Sequence, residues 1–264
     1  MKQTDTALLR ELTEILRAGG IEDAGLEAQW ICGDMPDAER ARETAKRRAA
    51  HEPLQYLLGT WEFYGLPMQV GPGVLIPRAD TETLVDAVLE RQQHLPQTPA
   101  AADLCTGSGC IALALKSRLP QLTVTGIDKS ETALGYARRN AGANRLDVQW
   151  CCDDVLAPAN LPGMLDLIVC NPPYLTADDM ANLQQEVAFE PEEALFGGAD
   201  GLDFYRSITA LWKDVLRQGG LLAYEIGCTQ GAAVEAILRQ NGFRDTEIIR
   251  DLSGLERVVL GYRS

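Results

Sequence analysis

Three short segments of this 264-residue chain carry residue types whose spacing suits chemistry on a nucleoside-bearing ligand. The first is Asp103-Leu-Cys-Thr-Gly-Ser-Gly-Cys-Ile-Ala, an apolar run entering a turn formed by Cys105, Thr106, Gly107, Ser108 and Gly109. Glycines at 107 and 109 let the backbone approach a ligand closely, and a helix opening just beyond offers free N–H groups. Alone, the segment is either a tight strand-to-helix turn or a cofactor loop, and it departs from G-x-G-x-x-G. The second is Asp128 at the end of Val124-Thr-Gly-Ile-Asp. An acid about 20 residues past such a loop accepts hydrogen bonds from both ribose hydroxyls of an adenosine; its competing role is to cap a helix beginning near Ser130. Loop and acid together specify an adenosine-containing cofactor and leave NAD and S-adenosylmethionine open.

The third segment separates them. Leu165-Asp-Leu-Ile-Val-Cys reads as a strand running straight into Asn171-Pro172-Pro173-Tyr174. Two prolines stiffen the turn and remove two N–H donors. Carbonyl acceptors, Pro172 among them, are left beside the Asn171 amide oxygen, with the Tyr174 ring nearby. Such a cradle suits a planar –NH2 group, whose two hydrogens meet two acceptors while the ring covers its π face. Hydride transfer has no need of it, so S-adenosylmethionine is the expected cofactor.

The elements that must position these residues follow from hydrophobic periodicity. The first fifty residues are helical, with Leu8, Leu9, Leu12, Ile15 and Leu16 at helical spacing, a second helix over Leu26 to Cys32, and a third from Asp37 to near His51. The third holds the one basic concentration, Arg40, Arg42, Lys46, Arg47 and Arg48, read as a solvated face paired with Glu39 and Glu43 or as a contact for an acidic partner. Trp61 to Val70 alternates between Gly and Pro punctuation, as a β-hairpin does. A helix opens near Asp80. Strands are then expected at 101–104, 122–127, 148–152, 165–170, 221–226, 247–249 and 257–261, with helices at 111–119, 131–140, 204–216 and 231–240. Alternation of this kind builds a parallel sheet covered on both faces, and the last two strands, lacking a helix between them, pair as an antiparallel hairpin. The expected organisation is a helical unit over 1–52, a hairpin connector over 53–78 and a cofactor-binding domain over 79–264.

Composition narrows the function further. Lys+Arg 24 against Asp+Glu 38 gives a net charge of −14, a poor surface for gripping nucleic acid. No apolar run approaches the roughly 18 residues of a membrane span, and the first residues lack a signal-peptide pattern. The seven cysteines include no C-x-x-C pair, so neither a disulfide scaffold nor a metal site is expected, and the compartment expected is the reducing cytoplasm.

The constellation resembles class I S-adenosylmethionine-dependent methyltransferases that act on exocyclic or amide nitrogen. More narrowly it resembles the PrmC/HemK family, the protein-(glutamine-N5) methyltransferases of peptide chain release factors. The likeness spans nearly the whole chain. It rests on Gln55-Tyr-Leu-Leu-Gly, Glu62-Phe-Tyr-Gly-Leu, Val74-Leu-Ile-Pro-Arg with Asp80-Thr-Glu, the glycine loop, Asn171-Pro-Pro-Tyr, Phe189-Glu-Pro, Asp200-Gly-Leu-Asp-Phe-Tyr, Glu225-Ile-Gly and Arg250-Asp-Leu-Ser-Gly-Leu-Glu-Arg-Val. The Asn-Pro-Pro-Tyr segment alone admits nucleic-acid adenine methyltransferases as an alternative; the Ile-Pro-Arg-x-Asp-Thr-Glu segment and the C-terminal pattern are far more specific.

The resemblance implies a Rossmann-like methyltransferase sheet with a small N-terminal helical domain that docks the protein substrate. It implies methyl transfer to the glutamine of a Gly-Gly-Gln motif in a release factor, with S-adenosylhomocysteine as product. It also implies adenine contacts near the acidic segment after the third strand, which matches Asp154 and Val155 in Asp153-Asp154-Val155. Where many members have glycine this chain has Cys105, which implies that the position needs no positive φ.

Overall fold

The computed structural model describes residues 6–159 and 163–264; the first five residues of the expected helical unit, and residues 160–162 of a loop, lie outside the described residues. The helical periodicity at the start forms α1 (Thr6–Ala18), α2 (Ala24–Asp34) and α3 (Ala38–Ala49). Leu12, Leu16, Ala28, Ile31, Ala41 and Ala45 close a core of their own. That core takes in Leu54 from α4 (Leu54–Leu58), so the packed unit runs past residue 52 into a helix that the sequence reading placed within the connector.

The basic cluster on α3 is largely neutralised within the molecule. Arg40 pairs with Glu43, Arg42 with Glu11, and Arg47 with Glu52. Arg48 is buried and bridges Glu27 of α2 at 2.7 Å and Glu186 of the sheet-bearing part at 3.0 Å. Of the two partners expected on the same helix face, Glu43 pairs with Arg40; Arg42, Arg47 and Arg48 pair with carboxylates outside α3, and the buried Arg48 serves as a clasp between the helical unit and the rest. An Arg48→Met chain strips Glu27 of its ion pair and leaves Glu186 with His51 alone, a loss worth about 2 kcal/mol. Thermal unfolding should move down by several degrees; an unchanged Tm would contradict the clasp.

The hairpin β1 (Thr60–Phe63) and β2 (Leu66–Gln69) pairs antiparallel, with Phe63 and Met68 buried against the sheet core. A single 3₁₀ turn at Ala79–Thr81 leads into α5 (Glu82–Leu89). The chain then alternates through β3 (Ala100–Leu104), α6 (Cys110–Arg118), β4 (Thr123–Asp128), α7 (Glu131–Asn144), β5 (Gln149–Cys152), β6 (Leu165–Cys170), α8 (Ala177–Ala181), α9 (Asp203–Trp212), β7 (Leu216–Glu225), α10 (Gly231–Gln240), β8 (Phe243–Arg250) and β9 (Glu256–Arg263). The sheet order is β5-β4-β3-β6-β7-β9-β8, parallel from β5 through β7, with β9 inserted antiparallel between β7 and β8.

Two cores flank the sheet. Leu84, Val85 and Val88 of α5 and Ile111 to Leu115 of α6 cover one face; Tyr205, Ile208 and Trp212 of α9 and Val234 and Leu238 of α10 cover the other. Central β6 is buried along its whole length, as a parallel strand covered on both faces must be. Its one acid, Asp166, is satisfied by Ala100 N–H at 2.8 Å and by Arg217 at 2.5 Å. The helix expected over 204–216 stops at Trp212, whose buried indole N–H donates to the Val155 carbonyl at 2.9 Å. Leu216 already pairs with Leu165 as β7 begins. The chain leaves β3 outward to β4 and β5, then returns to β6 on the other side of β3. A switch point therefore opens beside the carboxyl end of β3, where open α/β sheets bind ligands.

Candidate active site

A cleft of about 1050 Å³, counted out into the solvent at its mouth, lies at that switch point. Its lining draws on Val74, Arg78 and Thr81 from the connector side, Cys105 to Ser108 after β3, Asp128 to Ser130 after β4, Asp154 to Leu156 after β5, and Asn171 and Pro173 after β6. The carboxyl ends of four parallel strands thus converge on one space.

The glycine loop is shaped from behind by Asp103, fully buried at the end of β3. Its Oδ2 accepts from the Thr106 hydroxyl at 2.5 Å and from Ala112 N–H at 3.1 Å, while Oδ1 has no hydrogen-bond partner. Burial pushes its pKa up to about 7 against those two donors, and the nearby charge of Asp128 pushes the same way. Asn140, buried on α7, joins the loop to the hairpin by donating to the Ser108 and Gln69 carbonyls and accepting from Gln69 N–H. Gly107 has φ +56°, and a Cβ there would meet nothing nearer than Val74 at 4.0 Å, so its ligand side is open. Gly109, expected among the cofactor contacts, does not border the cleft. It opens α6 at φ +80°, and a Cβ would stand 2.7 Å from the Trp150 ring, so its glycine is required by packing.

Cys105 corrects an expectation. Its φ is +57°, so the left-handed turn off β3 persists although a side chain occupies the position. The turn lets Thr106 N–H bond the Ile127 carbonyl of β4 at 3.0 Å. A side chain in that conformation costs roughly 1–2 kcal/mol relative to glycine.

Asp128 ties two loops together, its Oδ2 accepting from Gly107 N–H at 2.8 Å and its Oδ1 from Ser130 N–H at 2.9 Å. The helix cap falls to Ser130 instead, whose hydroxyl accepts from Ala133 N–H. Each Asp128 oxygen keeps a lone pair for a further donor. Burial raises the Asp128 pKa, while the Ser130 and Gly107 N–H groups and the Lys129 charge pull it down. In the acidic segment after β5, Asp154 and Val155 border the cleft. Asp153 instead accepts from Asp154 and Ala159 N–H within its own loop.

At the end of β6, Asn171 and Pro173 border the cleft; Pro172 and Tyr174 do not. The sequence reading set the Tyr174 ring over the acceptor. The structure gives its hydroxyl a contact with the buried carboxyl of Glu225 at 3.5 Å and its carbonyl a bond from Gln230 at 3.0 Å. Gly197 is held against this loop so closely that a Cβ would lie 2.6 Å from the Tyr174 Cα. Leu175 and Phe196 form the bridge that holds it there.

Residues 81–198 match the family described as methyltransferase small domain. A release factor glutamine methyltransferase of Thermodesulfovibrio yellowstonii is 42% identical over 230 residues, covering 86% of this chain and 82% of that protein. A release factor glutamine methyltransferase of Moorella thermoacetica is 42% identical over 277 residues, covering 97% of both. The chain belongs to the release factor glutamine methyltransferase family. Its sheet also superposes on a methyltransferase crystal structure from Pyrococcus furiosus, with TM-score 0.57, 18% identity, 76% of this chain and 91% of that one; this likeness is one of fold.

In this family member the sequence reading passed over several residues that build the site. Arg78 borders the cleft and is ion-paired with the buried Glu190, which also accepts from Ile76 N–H at 3.0 Å. Thr81 borders the cleft and accepts from Asn171 Nδ2 at 3.4 Å. Glu225, fully buried at the end of β7, has its pKa pushed up to about 7 by burial; Thr81, Arg257 and Tyr174 pull it down and Asp80 pushes it up. The signal available was a charged residue at a buried strand end, which Asp103 and Glu225 share.

These two carboxyls set a pH dependence of stability. Their folded pKa values of about 7 lie above the ordinary values of 3.8 and 4.5. Between about pH 4 and 7 the unfolded chain therefore binds fewer protons than the folded one, and stability falls as pH rises. Urea unfolding at stepped pH should show this decline, and Asp103→Asn should flatten it. An equal slope in the variant would contradict the assignment.

Proposed function

We propose that the protein transfers a methyl group from S-adenosylmethionine to the side-chain amide nitrogen (N5) of the glutamine in the Gly-Gly-Gln motif of peptide chain release factors. The observation that carries this reading is that Asn171 and Pro173 border the same cleft as the glycine loop and Asp128, in a chain 42% identical to proteins named release factor glutamine methyltransferase.

The residues present suit the cofactor. Asp128 has a spare lone pair on each oxygen for the two ribose hydroxyls, Gly107 leaves its ligand side open, and Asp154 and Val155 border the side expected to hold adenine. When bound, S-adenosylmethionine supplies a methyl group activated by its sulfonium. The acceptor is a poor nucleophile, because an amide lone pair is delocalised into the carbonyl. Asn171 Oδ1 takes one N–H of that amide and a backbone carbonyl of the turn takes the other, which fixes the nitrogen facing the methyl group. Orientation of this kind supplies several kcal/mol, up to roughly 7–11 in ideal cases. No histidine borders the cleft among the described residues, so positioning, rather than a strong base, carries the rate. The helical unit, with its separate core, is the surface we assign to docking the release factor.

The test is transfer of radiolabelled methyl from S-adenosylmethionine to a purified release factor. Controls are the same factor with Gly-Gly-Gln changed to Gly-Gly-Ala and an adenine-containing oligonucleotide. Label on the unaltered factor alone is expected; label on the oligonucleotide alone would replace this reading with the nucleic-acid alternative.

A further inference from the structure

A second groove, about 900 Å³ counted out into the solvent, opens between the helical unit and the hairpin connector. Trp30 and Asp34, one turn apart on α2, line one side; Leu58 of α4, Trp61 and Glu62 of β1 and Pro67 of β2 line the rest. The Trp30 and Trp61 rings meet edge to face, with centroids 5.9 Å apart at 81°, so they form two walls at nearly a right angle. Trp30 stays 41% exposed, and Leu26, one turn earlier on the same helix, 45%. Asp34 and Glu62 are exposed, and neither has an ion-pair or hydrogen-bond partner among the described residues. No lysine, arginine or histidine among the described residues lines the groove.

The chemistry of this surface is one-sided. An indole face attracts a cation held within about 6 Å of its centre, and an unpaired carboxylate attracts the same charge. Elsewhere the molecule meets such demands internally: Glu43 and Glu52 hold Arg40 and Arg47, and Arg118 and Arg139 lie over the rings of Tyr64 and Tyr136. Here both are left open. Two carboxylates repel a phosphate-bearing polymer. A second copy of this chain, docked about a two-fold axis, would set the same two carboxylates against themselves, on a chain of net charge −14. An arginine on another protein fits best, because its planar guanidinium stacks on an indole and offers a fork of N–H donors to a neighbouring carboxylate.

We propose that the Trp30–Trp61 groove receives an arginine-bearing segment of the protein substrate, whose charge Asp34 and Glu62 pair. The inference deepens the assignment of the helical unit to docking and rests on the release factor being the substrate. Its effect is on capture of that substrate, since the groups that face the methyl acceptor lie in the other cleft.

The test compares three variants with the wild-type chain: a neutral one with Asp34→Asn and Glu62→Gln together, a reversed one with Asp34→Lys and Glu62→Lys together, and Trp30→Ala. The first two change only exposed side chains, so they keep the fold even if Trp30→Ala does not. Steady-state methylation of an intact release factor gives KM and kcat, and calorimetry gives its Kd at about 50 and about 300 mM salt. We expect KM and Kd for the factor to rise roughly 3–30-fold in the neutral variant and in Trp30→Ala, and further in the reversed one, with kcat within about twofold. The neutral variant should also lose part of the wild-type salt dependence, which a packing defect would leave alone. Among the factor's exposed arginines, changed singly to alanine, one should match the neutral variant's loss and fail to add to it. On a factor that is methylated, wild-type KM in the neutral and reversed variants, a loss confined to kcat, or no such arginine would overturn the groove and leave the reaction standing. Dimerisation of the wild-type chain that the reversed variant abolishes, with Kd for the factor unchanged, would overturn it in favour of a second copy. A wild-type chain that puts no methyl group on the factor would remove the underlying reading itself.

Discussion

Asn171→Ala slows methyl transfer roughly 10²–10³-fold in single turnover at saturating cofactor, the loss expected when one preorganised polar contact is removed from a reacting group. The size follows from what the side chain does. Its Nδ2 is engaged by Thr81, so its Oδ1 is the atom available to an acceptor amide in the cleft. Truncation removes that acceptor and leaves one substrate N–H unpaired in a partly desolvated space, which costs about 1–3 kcal/mol for the unsatisfied donor. Misorientation of the nitrogen adds to it. The fold should survive, because Asn171 borders the cleft and, among the described residues, its side chain bonds only Thr81. A variant as fast as wild type would mean that other groups hold the nitrogen.

Asp128→Ala weakens S-adenosylmethionine binding by about 1.5–3 kcal/mol, tenfold to more than a hundredfold. Two losses combine. The ribose hydroxyls lose a charged acceptor, and the Gly107 and Ser130 N–H groups lose the carboxylate that fixes the loops after β3 and β4 relative to each other. Asp128→Asn keeps the shape and one acceptor, so it should fall between Ala and wild type. Calorimetry on folded variants measures both. Unchanged affinity in the Ala variant would contradict the ribose assignment, and Asn no better than Ala would show that the loop anchoring needs the charge.

Much of this site was legible because parallel sheets write themselves into sequence. A strand buried on both faces reads as a near-continuous apolar run, and Leu165 to Cys170 is one interrupted only by Asp166, so Asn171 to Tyr174 had to emerge at a carboxyl end. Alternation with helices placed Gly107 and Asp128 at the same edge. Contacts between distant segments were not legible. Thr81 and Asn171 are 90 residues apart, Arg78 and Glu190 are 112 apart, and no local pattern joins them. Backbone conformation misled at Cys105, where residue identity argued for an ordinary φ and the turn between β3 and Thr106 imposed +57°. The contacts that seat the loop after β6 were equally hidden: Gly197 stands against the Tyr174 Cα, Gln230 donates to the Tyr174 carbonyl, and the Tyr174 hydroxyl lies 3.5 Å from Glu225.

The central claim is that the group methylated is a glutamine side-chain amide held at Asn171. The most direct measurement is tandem mass spectrometry of a release factor after incubation with the protein and S-adenosylmethionine, with the Asn171→Ala variant run in parallel. One added methyl group on the glutamine of Gly-Gly-Gln, on the side-chain nitrogen, with the variant leaving that residue almost unmodified over the same time, is the result predicted. A methyl group on any other residue, or equal modification by the variant, would contradict it.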